Sequence, residues 1–266
     1  MDVENILQSW ITIRVGHDTL SFALPTVGGT VVFEPYVVKS GISMAANLRE
    51  AFKTSQLLTM DVPRARVMVD SPVLMMPVEK FDEEQMTDLY HYTFPASAQE
   101  TVAYNVLPDL NAVALFSVNK DLRLVIDDHF RATKFIAAIS PVWRHLHQRS
   151  YIGSRNKLYG YFHDRQLEVF SFQQNRFKFC NTFSVKHVHD ALYFLLYVWK
   201  QLQLQPRFDE IHIVGDIPEQ EWLLDELHRY VNKVYAINPA ADFNHAPVTA
   251  VKGMPYDMQT LFVKGR

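Results

Sequence analysis

The feature that most constrains the fold of this chain is one order of predicted elements that occurs twice. In the first half, alternating apolar and polar residues predict three strands joined by short turns, at Trp10–Val15, Thr19–Leu24 and Thr30–Val38. A helix with apolar residues at helical spacing follows from Met44 to Ser55, with Ser43 as its N-cap. Further strands and helices complete this half, so a mixed sheet with packed helices is expected.

The second half repeats this order. Three strands, at Leu158–Phe162, Leu167–Phe172 and Phe177–Phe183, precede a long helix over Val185–Leu202. The remaining elements are a strand, an amphipathic helix and a short strand, at Glu210–Val214, Glu219–Asn232 and Val234–Ile237. Both halves therefore read β-β-β-α-β-α-β, although their residue-level similarity is weak.

The repeat sets the expected domain organisation. We expect an α/β protein with a first lobe over residues 1–130, a second lobe over residues 131–238 and a cleft between them. Residues 239–266 begin with Pro and Ala and contain a short helical pattern at Tyr256–Phe262. They predict a C-terminal extension that packs back on the lobes.

Composition excludes several classes of protein. The formal net charge is −3, whereas nucleic-acid binders concentrate Lys and Arg. No apolar run reaches the roughly 18 residues of a spanning helix, and Met1–Asn5 lacks the basic start of a signal peptide. Cys180, as the single cysteine, excludes an intramolecular disulfide and fits a small core residue. We therefore expect a cytoplasmic protein without nucleic-acid binding or direct membrane insertion.

The doubled order is that of the actin-like architecture, which duplicates a ribonuclease-H-like unit. Several short segments also resemble a Bacteroidetes family of uncharacterised proteins with this architecture. The segments that carry the resemblance are Leu20–Leu24, Ala45–Phe52, Asn181–Phe183, Asp190–Tyr193, Leu195–Leu202 and Ile213–Gly215. That family is in turn similar to the cytoplasmic actin-like components of type II secretion and pilus assembly.

The resemblance implies where a nucleotide would be held. In actin-like ATPases the first hairpin of each lobe carries an Asp-x-Gly turn, whose amides approach the phosphates and whose Asp organises the metal ion. In the first lobe the matching turn has Gly16 and Asp18, but Arg14 stands where the acidic residue belongs. Arginine carries no acceptor atom for a metal ion.

The second lobe departs from the pattern as well. Gly160 lacks a preceding Asp and is followed by Tyr161 and Phe162. At the strand that would approach adenosine, Gly215 stands alone before Asp216. We expect no catalytic residue, no metal and no cofactor, and we expect Arg14, Tyr161 and Phe162 to help occupy the cleft. The residues that remain as ligand-binding candidates in the cleft are Gly16, Asp18, Gly160, Asp164, Gly215 and Asp216.

Two histidine pairs have a spacing that suggests a metal site at first sight. His145 and His147, like His187 and His189, fall in predicted helices. Residues two apart on a helix point in nearly opposite directions and cannot share one ion. We therefore predict that neither pair binds a metal.

These observations favour a non-catalytic actin-like scaffold, or protein-binding module, over an enzyme. Tyr193, Tyr197 and Trp199 cannot all point inward from one helix, and an exposed aromatic face would be a partner surface. The alternative is a residual nucleotide- or phosphometabolite-binding protein, or a weak ATPase or kinase, that uses the cleft. The sequence leaves homo-oligomerisation open.

Overall fold

The fold is described from a computed structural model. It describes residues 9–26, 29–95, 97–151, 155–174 and 176–263. The start of the chain, from which the absence of a signal peptide was expected, lies outside these residues. Two compact units form: the first comprises residues 1–108, 112–141 and 245–266, and the second residues 109–111 and 142–244.

The described residues form thirteen strands and eight α-helices. The strands are β1 (Ile11–Val15), β2 (Leu20–Pro25), β3 (Val31–Tyr36), β4 (Arg64–Val69), β5 (Val73–Pro77), β6 (Glu100–Leu107), β7 (Ala112–Asn119), β8 (Ala132–Ala137), β9 (Lys157–His163), β10 (Gln166–Gln173), β11 (Arg176–Ser184), β12 (Glu210–Gly215) and β13 (Val234–Ala236). The helices are α1 (Met44–Thr54), α2 (Met86–Thr93), α3 (Lys120–His129), α4 (Ser140–Ser150), α5 (Val188–Gln201), α6 (Gln220–His228), α7 (Pro239–Asp242) and α8 (Tyr256–Phe262).

The first unit is built on a five-stranded sheet in the order β3-β2-β1-β4-β8. Strands β1, β2 and β3 pair antiparallel, whereas β4 and β8 continue the sheet in parallel with β1. On β1, Ile11 and Ile13 alternate with Thr12 and Arg14, and all four side chains are buried. The central strand is therefore covered on both faces. One of the covers is the C-terminal segment, whose Met254 and other apolar residues cluster with the sheet.

The second unit repeats this sheet with the order β11-β10-β9-β12-β13. Here β9 is central, antiparallel to β10 and parallel to β12. Leu158, Leu167 and Ile211 on the sheet pack against Leu195 of α5 and Leu223 of α6 in one apolar core. The repeat predicted from the sequence is thus present as two sheets of identical strand order.

A second, three-stranded sheet interrupts the repeat in the first unit. It has the order β5-β7-β6 and lies in the chain between β4 and α3. Its core consists of Tyr90 on α2 with Val113 and Leu115 on β7. The sequence predicts a helix from Asp82 to about Tyr90 and strands at Val102–Leu107 and Val113–Val118, which correspond to α2, β6 and β7. It does not predict β5, whose five residues include two Met and one Pro rather than alternating β-formers. Within the described residues, no helix combines the length and apolar content of a membrane span.

Candidate functional site

The hairpin turn of the first unit connects β1 and β2. It is closed by the Gly16 N–H, which donates to the Thr19 carbonyl oxygen at 2.8 Å. The side chains of His17 and Asp18 are each 83% exposed, with His17 Nε2 4.0 Å from Asp18 Oδ1. Gly16 and Asp18 therefore lie where the sequence placed them, on a tight turn at the end of the central strand.

Arg14, at the position of the expected acidic residue, is held by its own unit. Its Nε donates to Asp257 Oδ1 and Oδ2 at 3.0 and 2.8 Å, and its Nη1 donates to Thr19 Oγ1 at 3.0 Å. Both partners of the ion pair are buried, with side-chain exposures of 3% for Arg14 and 1% for Asp257. Asp257 lies in the first turn of α8, where the helix dipole favours a negative charge. Arg14 therefore ties the first hairpin to the C-terminal helix.

The hairpin turn of the second unit lies four residues further along the chain than Gly160. Its two central residues, Asp164 and Arg165, have φ values of 41° and 61°. Two successive residues in this left-handed region make the two-residue turn that matches strand twist, although neither is a glycine. Asp164 thus occupies the turn that corresponds to the one around Asp18.

Gly160 lies inside β9 and faces the core of its unit. A Cβ atom there would come within 3.1 Å of Leu195 Cδ2 and 3.3 Å of Ile213 Cγ2. The glycine therefore allows α5 to pack closely on the sheet, and its alignment with a phosphate-binding turn was wrong. Phe162 belongs to the same core, so its expected position in a cleft was wrong too. Tyr161 is buried and stacks on His163, with ring centroids 4.7 Å apart.

Asp164 lies among other ionisable side chains. Its Oδ2 is 3.9 Å from His163 Nδ1, while His163 Nε2 is 3.7 Å from Glu168 Oε1. His163 and Glu168 are both buried. His163 and its two carboxylate neighbours therefore form a polar cluster at the turn between β9 and β10.

Gly215 ends β12 with a backbone that only glycine adopts easily. Its φ is +99°, and a Cβ atom would lie 2.1 Å from the Phe162 carbonyl oxygen. The next residue, Asp216, is exposed and donates its N–H to the same oxygen at 2.9 Å. Gly215 is therefore required for strand packing, whatever else it contacts.

The first unit repeats this detail and adds an acidic residue that sequence reasoning missed. The Asp70 N–H donates to the Val15 carbonyl oxygen at 2.9 Å, as the Asp216 N–H donates to Phe162. In each unit, an Asp therefore follows the parallel strand beside the central one. Aligning the two halves of the sequence by this Asp would have identified Asp70. The carboxyl ends of parallel strands are where open α/β sheets bind ligands.

The face of the second sheet that points away from α5 carries a cluster of rings and charges. His212 Nε2 lies 3.0 Å from Glu210 Oε2, and its ring centroid is 5.6 Å from that of Tyr159 and 5.1 Å from that of Tyr235. Burial lowers the pKa of His212, against the opposing effect of Glu210. Burial likewise raises the pKa of Tyr159 and lowers that of Lys157. These groups are therefore held neutral more readily than in water.

The histidines of the two pairs contact separate groups. His145 Nε2 lies 2.6 Å from Asp242 Oδ2, whereas His147 Nε2 lies 3.0 Å from the Gln174 carbonyl oxygen. His187 is the N-cap of α5, and the His189 ring packs against Trp222 with centroids 4.6 Å apart. Each histidine thus has a structural neighbour of its own.

Comparisons with known proteins agree with this fold. The family model described as "Protein of unknown function (DUF3822)" matches residues 1–234. A crystal structure from Bacteroides thetaiotaomicron, of a protein with actin-like ATPase fold and unknown function, is similar with a TM-score of 0.87 and 26% identity, covering 100% of this chain and 99% of that one. The prediction of an actin-like fold related to an uncharacterised Bacteroidetes family is confirmed. No curated protein matches the chain.

Two further structures are more distant. The PilM–PilN type IV pilus biogenesis complex has a TM-score of 0.58 at 10% identity, covering 96% of this chain and 97% of that one. The cytoplasmic domain of EpsL, an inner membrane component of the type II secretion system of Vibrio cholerae, has a TM-score of 0.45 at 9% identity, with coverages of 96% and 93%. The expected similarity to pilus components is thus found at the level of the fold, through the PilM–PilN complex.

Proposed function

Since this chain belongs to the DUF3822 family of proteins of unknown function and has the actin-like fold, we propose that it is a non-catalytic, cytoplasmic module that binds a protein partner. One observation carries the proposal. The residue at the position of the metal-organising Asp, Arg14, is a buried cation whose charge Asp257 neutralises. A guanidinium has no lone pair for a metal ion and stays protonated. The first hairpin therefore has a structural function in place of a catalytic one.

A surface on α5 supports the binding of a protein. Tyr193 and Tyr197 are 61% and 47% exposed, although they lie on the helix that packs into the core of the second unit. Their rings stack with centroids 5.9 Å apart. Exposed aromatic residues are enriched in protein interfaces, where they supply most of the binding energy.

The proposal is tested by capture and reconstitution. The tagged full chain is incubated with lysate of the source organism, and any retained protein is purified and titrated against the chain without nucleotide. We expect saturable binding that Tyr193→Ser and Tyr197→Ser weaken, while Tyr151→Ser, at an exposed tyrosine in the same unit, serves as control. A chain that retains no specific partner and stays monomeric by light scattering would overturn the proposal.

A second candidate function is the binding of a nucleotide or phosphometabolite. It is favoured by the positions of Asp164 and Asp216. These residues follow the neighbouring parallel strands β9 and β12, at the carboxyl ends of both strands. Asp164→Asn suits a test, because Asn tolerates the left-handed backbone and removes only the charge. Calorimetric titration with Mg²⁺ and ATP or ADP should give heat with the wild-type chain and none with this variant if the second candidate holds.

A further inference from the structure

Strand β11 forms one edge of the sheet in the second unit. It pairs with β10 and with no other strand among the described residues. Its nine residues make it a long edge strand, and most of their side chains are half-buried or exposed. The edge strand of the first sheet, β3, has six residues and contains Pro35, which cannot donate to an added strand. The edge strand of the second sheet is therefore less protected against pairing with an added strand than the edge strand of the first.

The backbone of β11 presents its hydrogen-bonding groups outward along its second half. Val185 donates inward, to the Arg165 carbonyl oxygen at 2.9 Å. Because backbone groups alternate along a strand, the N–H groups of Cys180, Thr182 and Ser184 point away from β10. The Thr182 N–H agrees with this direction, since it donates to the side chain of the preceding residue, Asn181 Oδ1, at 2.9 Å and not to β10. A side-chain amide thus holds the position that an incoming carbonyl would take.

The charged residues of β11 and of the turn that follows it are all basic, namely Arg176, Lys178 and Lys186. The two nearest carboxylates accept hydrogen bonds within the unit, Glu168 from Thr182 Oγ1 at 2.8 Å and Asp190 from the Lys186 N–H at 3.0 Å. Lys178 and Lys186 are exposed and flank the outward-facing stretch on both sides. Two copies of β11 would bring like charges together, which disfavours edge-to-edge pairing of this chain with itself. An acidic strand would meet complementary charge.

An aromatic row continues from this edge to the helix above it. Phe183 of β11 stacks on Phe194 of α5 with ring centroids 4.3 Å apart, and Phe194 contacts Tyr193 at 5.3 Å. Apolar side chains of an added strand would therefore lie beside the exposed tyrosines of α5. The edge and the helix face form one continuous surface.

We propose that β11 is the docking edge for an extended, acidic segment of the partner protein, which adds to the sheet as a sixth strand. The proposal rests on the protein-binding function above and specifies its site. Main-chain hydrogen bonds to the second half of β11 supply affinity, while carboxylates beside Lys178 and Lys186 and apolar side chains beside α5 select the segment.

The first test uses a peptide probe, a fluorescein-labelled octamer of alternating Glu and Val, titrated into the full chain by fluorescence anisotropy. The control peptide is an octamer of alternating Lys and Val. We expect saturable binding of the Glu and Val peptide with a Kd roughly two- to thirty-fold lower than that of the control, because it would form two favourable cross-strand charge pairs. Thr182→Pro should abolish binding, because an edge strand tolerates proline where its N–H faces outward but loses the donor. Tyr230→Ser, at an exposed tyrosine of the same unit outside β11, should bind like wild type.

A second variant keeps the test decisive if Thr182→Pro fails to fold. Lys178→Glu combined with Lys186→Glu should reverse the preference, so that the Lys and Val peptide binds more tightly. Three results would each overturn the docking edge: absence of peptide binding, equal binding by folded Thr182→Pro and by Tyr230→Ser, or an unchanged peptide preference in the double lysine variant. A partner that the wild-type and Thr182→Pro chains capture equally overturns the edge while the protein-binding function stands. Absence of any specific partner overturns the function itself.

Discussion

Arg14 and Asp257 form a buried ion pair between residues 243 positions apart in the sequence. Nε of Arg14 lies 2.8 Å from Oδ2 of Asp257, and a further bond to Thr19 reaches across the first hairpin. The pair joins the central strand of the first unit to its C-terminal helix. It lies where the resemblance to the actin-like architecture predicted an acidic, metal-organising residue, and Arg14 makes a structural contact there.

Asp257→Ala should strongly destabilise the chain. The variant leaves the Arg14 guanidinium buried without its counter-charge, and removing one partner of a buried pair costs about 3–5 kcal/mol. Urea unfolding followed by tryptophan fluorescence measures the change. Asp18→Ala, in the adjacent turn and highly exposed, is the control and should alter the free energy of unfolding by less than about 0.5 kcal/mol.

The double variant Arg14→Met with Asp257→Leu should recover most of the stability that Asp257→Ala loses. Apolar side chains of similar volume avoid the cost of desolvating two charges, and such replacements are often neutral or stabilising. The same urea titration gives the result. If Asp257→Ala unfolds at the wild-type urea concentration, the pair does not stabilise the unit and the structural interpretation of Arg14 fails.

Gly215→Ala should cost at least about 2–3 kcal/mol, because the new Cβ would meet the Phe162 carbonyl and the backbone would keep a φ of +99°. Gly41→Ala is the matched control, since a Cβ there has no heavy atom within 4 Å and the residue lies outside the left-handed region. We expect no loss at Gly41, and a gain of about 0.4–1 kcal/mol if its backbone suits alanine. Equal unfolding midpoints for the two variants would contradict the assignment of Gly215 to strand packing.

Gly160→Ala should destabilise the second unit by about 1–3 kcal/mol, as overpacking of a close-packed core does. The cost arises from Leu195, whose Cδ2 lies 3.1 Å from the position of the added methyl group. In a background that already carries Leu195→Ala, Gly160→Ala should cost less than in the wild-type chain, although the contacts with Ile213 and Leu167 at 3.3 Å remain. A double-mutant cycle by urea unfolding measures this difference. Additive costs would show that Gly160 does not contact Leu195 as described.

His212 should make the chain less stable in mild acid. Burial lowers the pKa of this imidazole, so as pH falls below about 6.5 the unfolded chain takes up a proton before the folded chain does. The loss is absent above the unfolded pKa and complete below the folded pKa. His212→Phe should therefore flatten the decline of the urea midpoint between pH 7 and 5. An unchanged slope would show that His212 titrates alike in both states.

The sequence predicted the two repeats because the signals for strands and helices are local. The three strands of each meander, and α5 with its buried Leu195, all follow from periodic apolar residues. Strand β5 was missed because Val73–Pro77 lacks that alternation. The fold class can thus be predicted from the sequence, because each strand or helix shows its own pattern of apolar residues.

The site was harder to predict, because its details depend on turns and on distant contacts. Asp164 and Arg165 form a left-handed turn without glycine. Because such turns usually contain glycine, the phosphate-binding turn was aligned with Gly160, four residues before the actual turn. The contact between Arg14 and Asp257 depends on tertiary packing, which no local pattern encodes. The equivalence of Asp70 and Asp216 lies in the hydrogen bonds that each makes to the central strand of its unit, which no local sequence pattern encodes.

The most direct test of a non-catalytic binding module is the heat-unfolding midpoint of the full chain with and without Mg²⁺ and ATP, ADP or GTP. We predict midpoints that coincide, because the hairpin position that would organise the metal ion holds Arg14 in an ion pair. A nucleotide present at 100 times its Kd would instead add about 2.7 kcal/mol to the free energy of unfolding. A clear Mg²⁺-dependent rise of the midpoint with any one nucleotide would contradict this account.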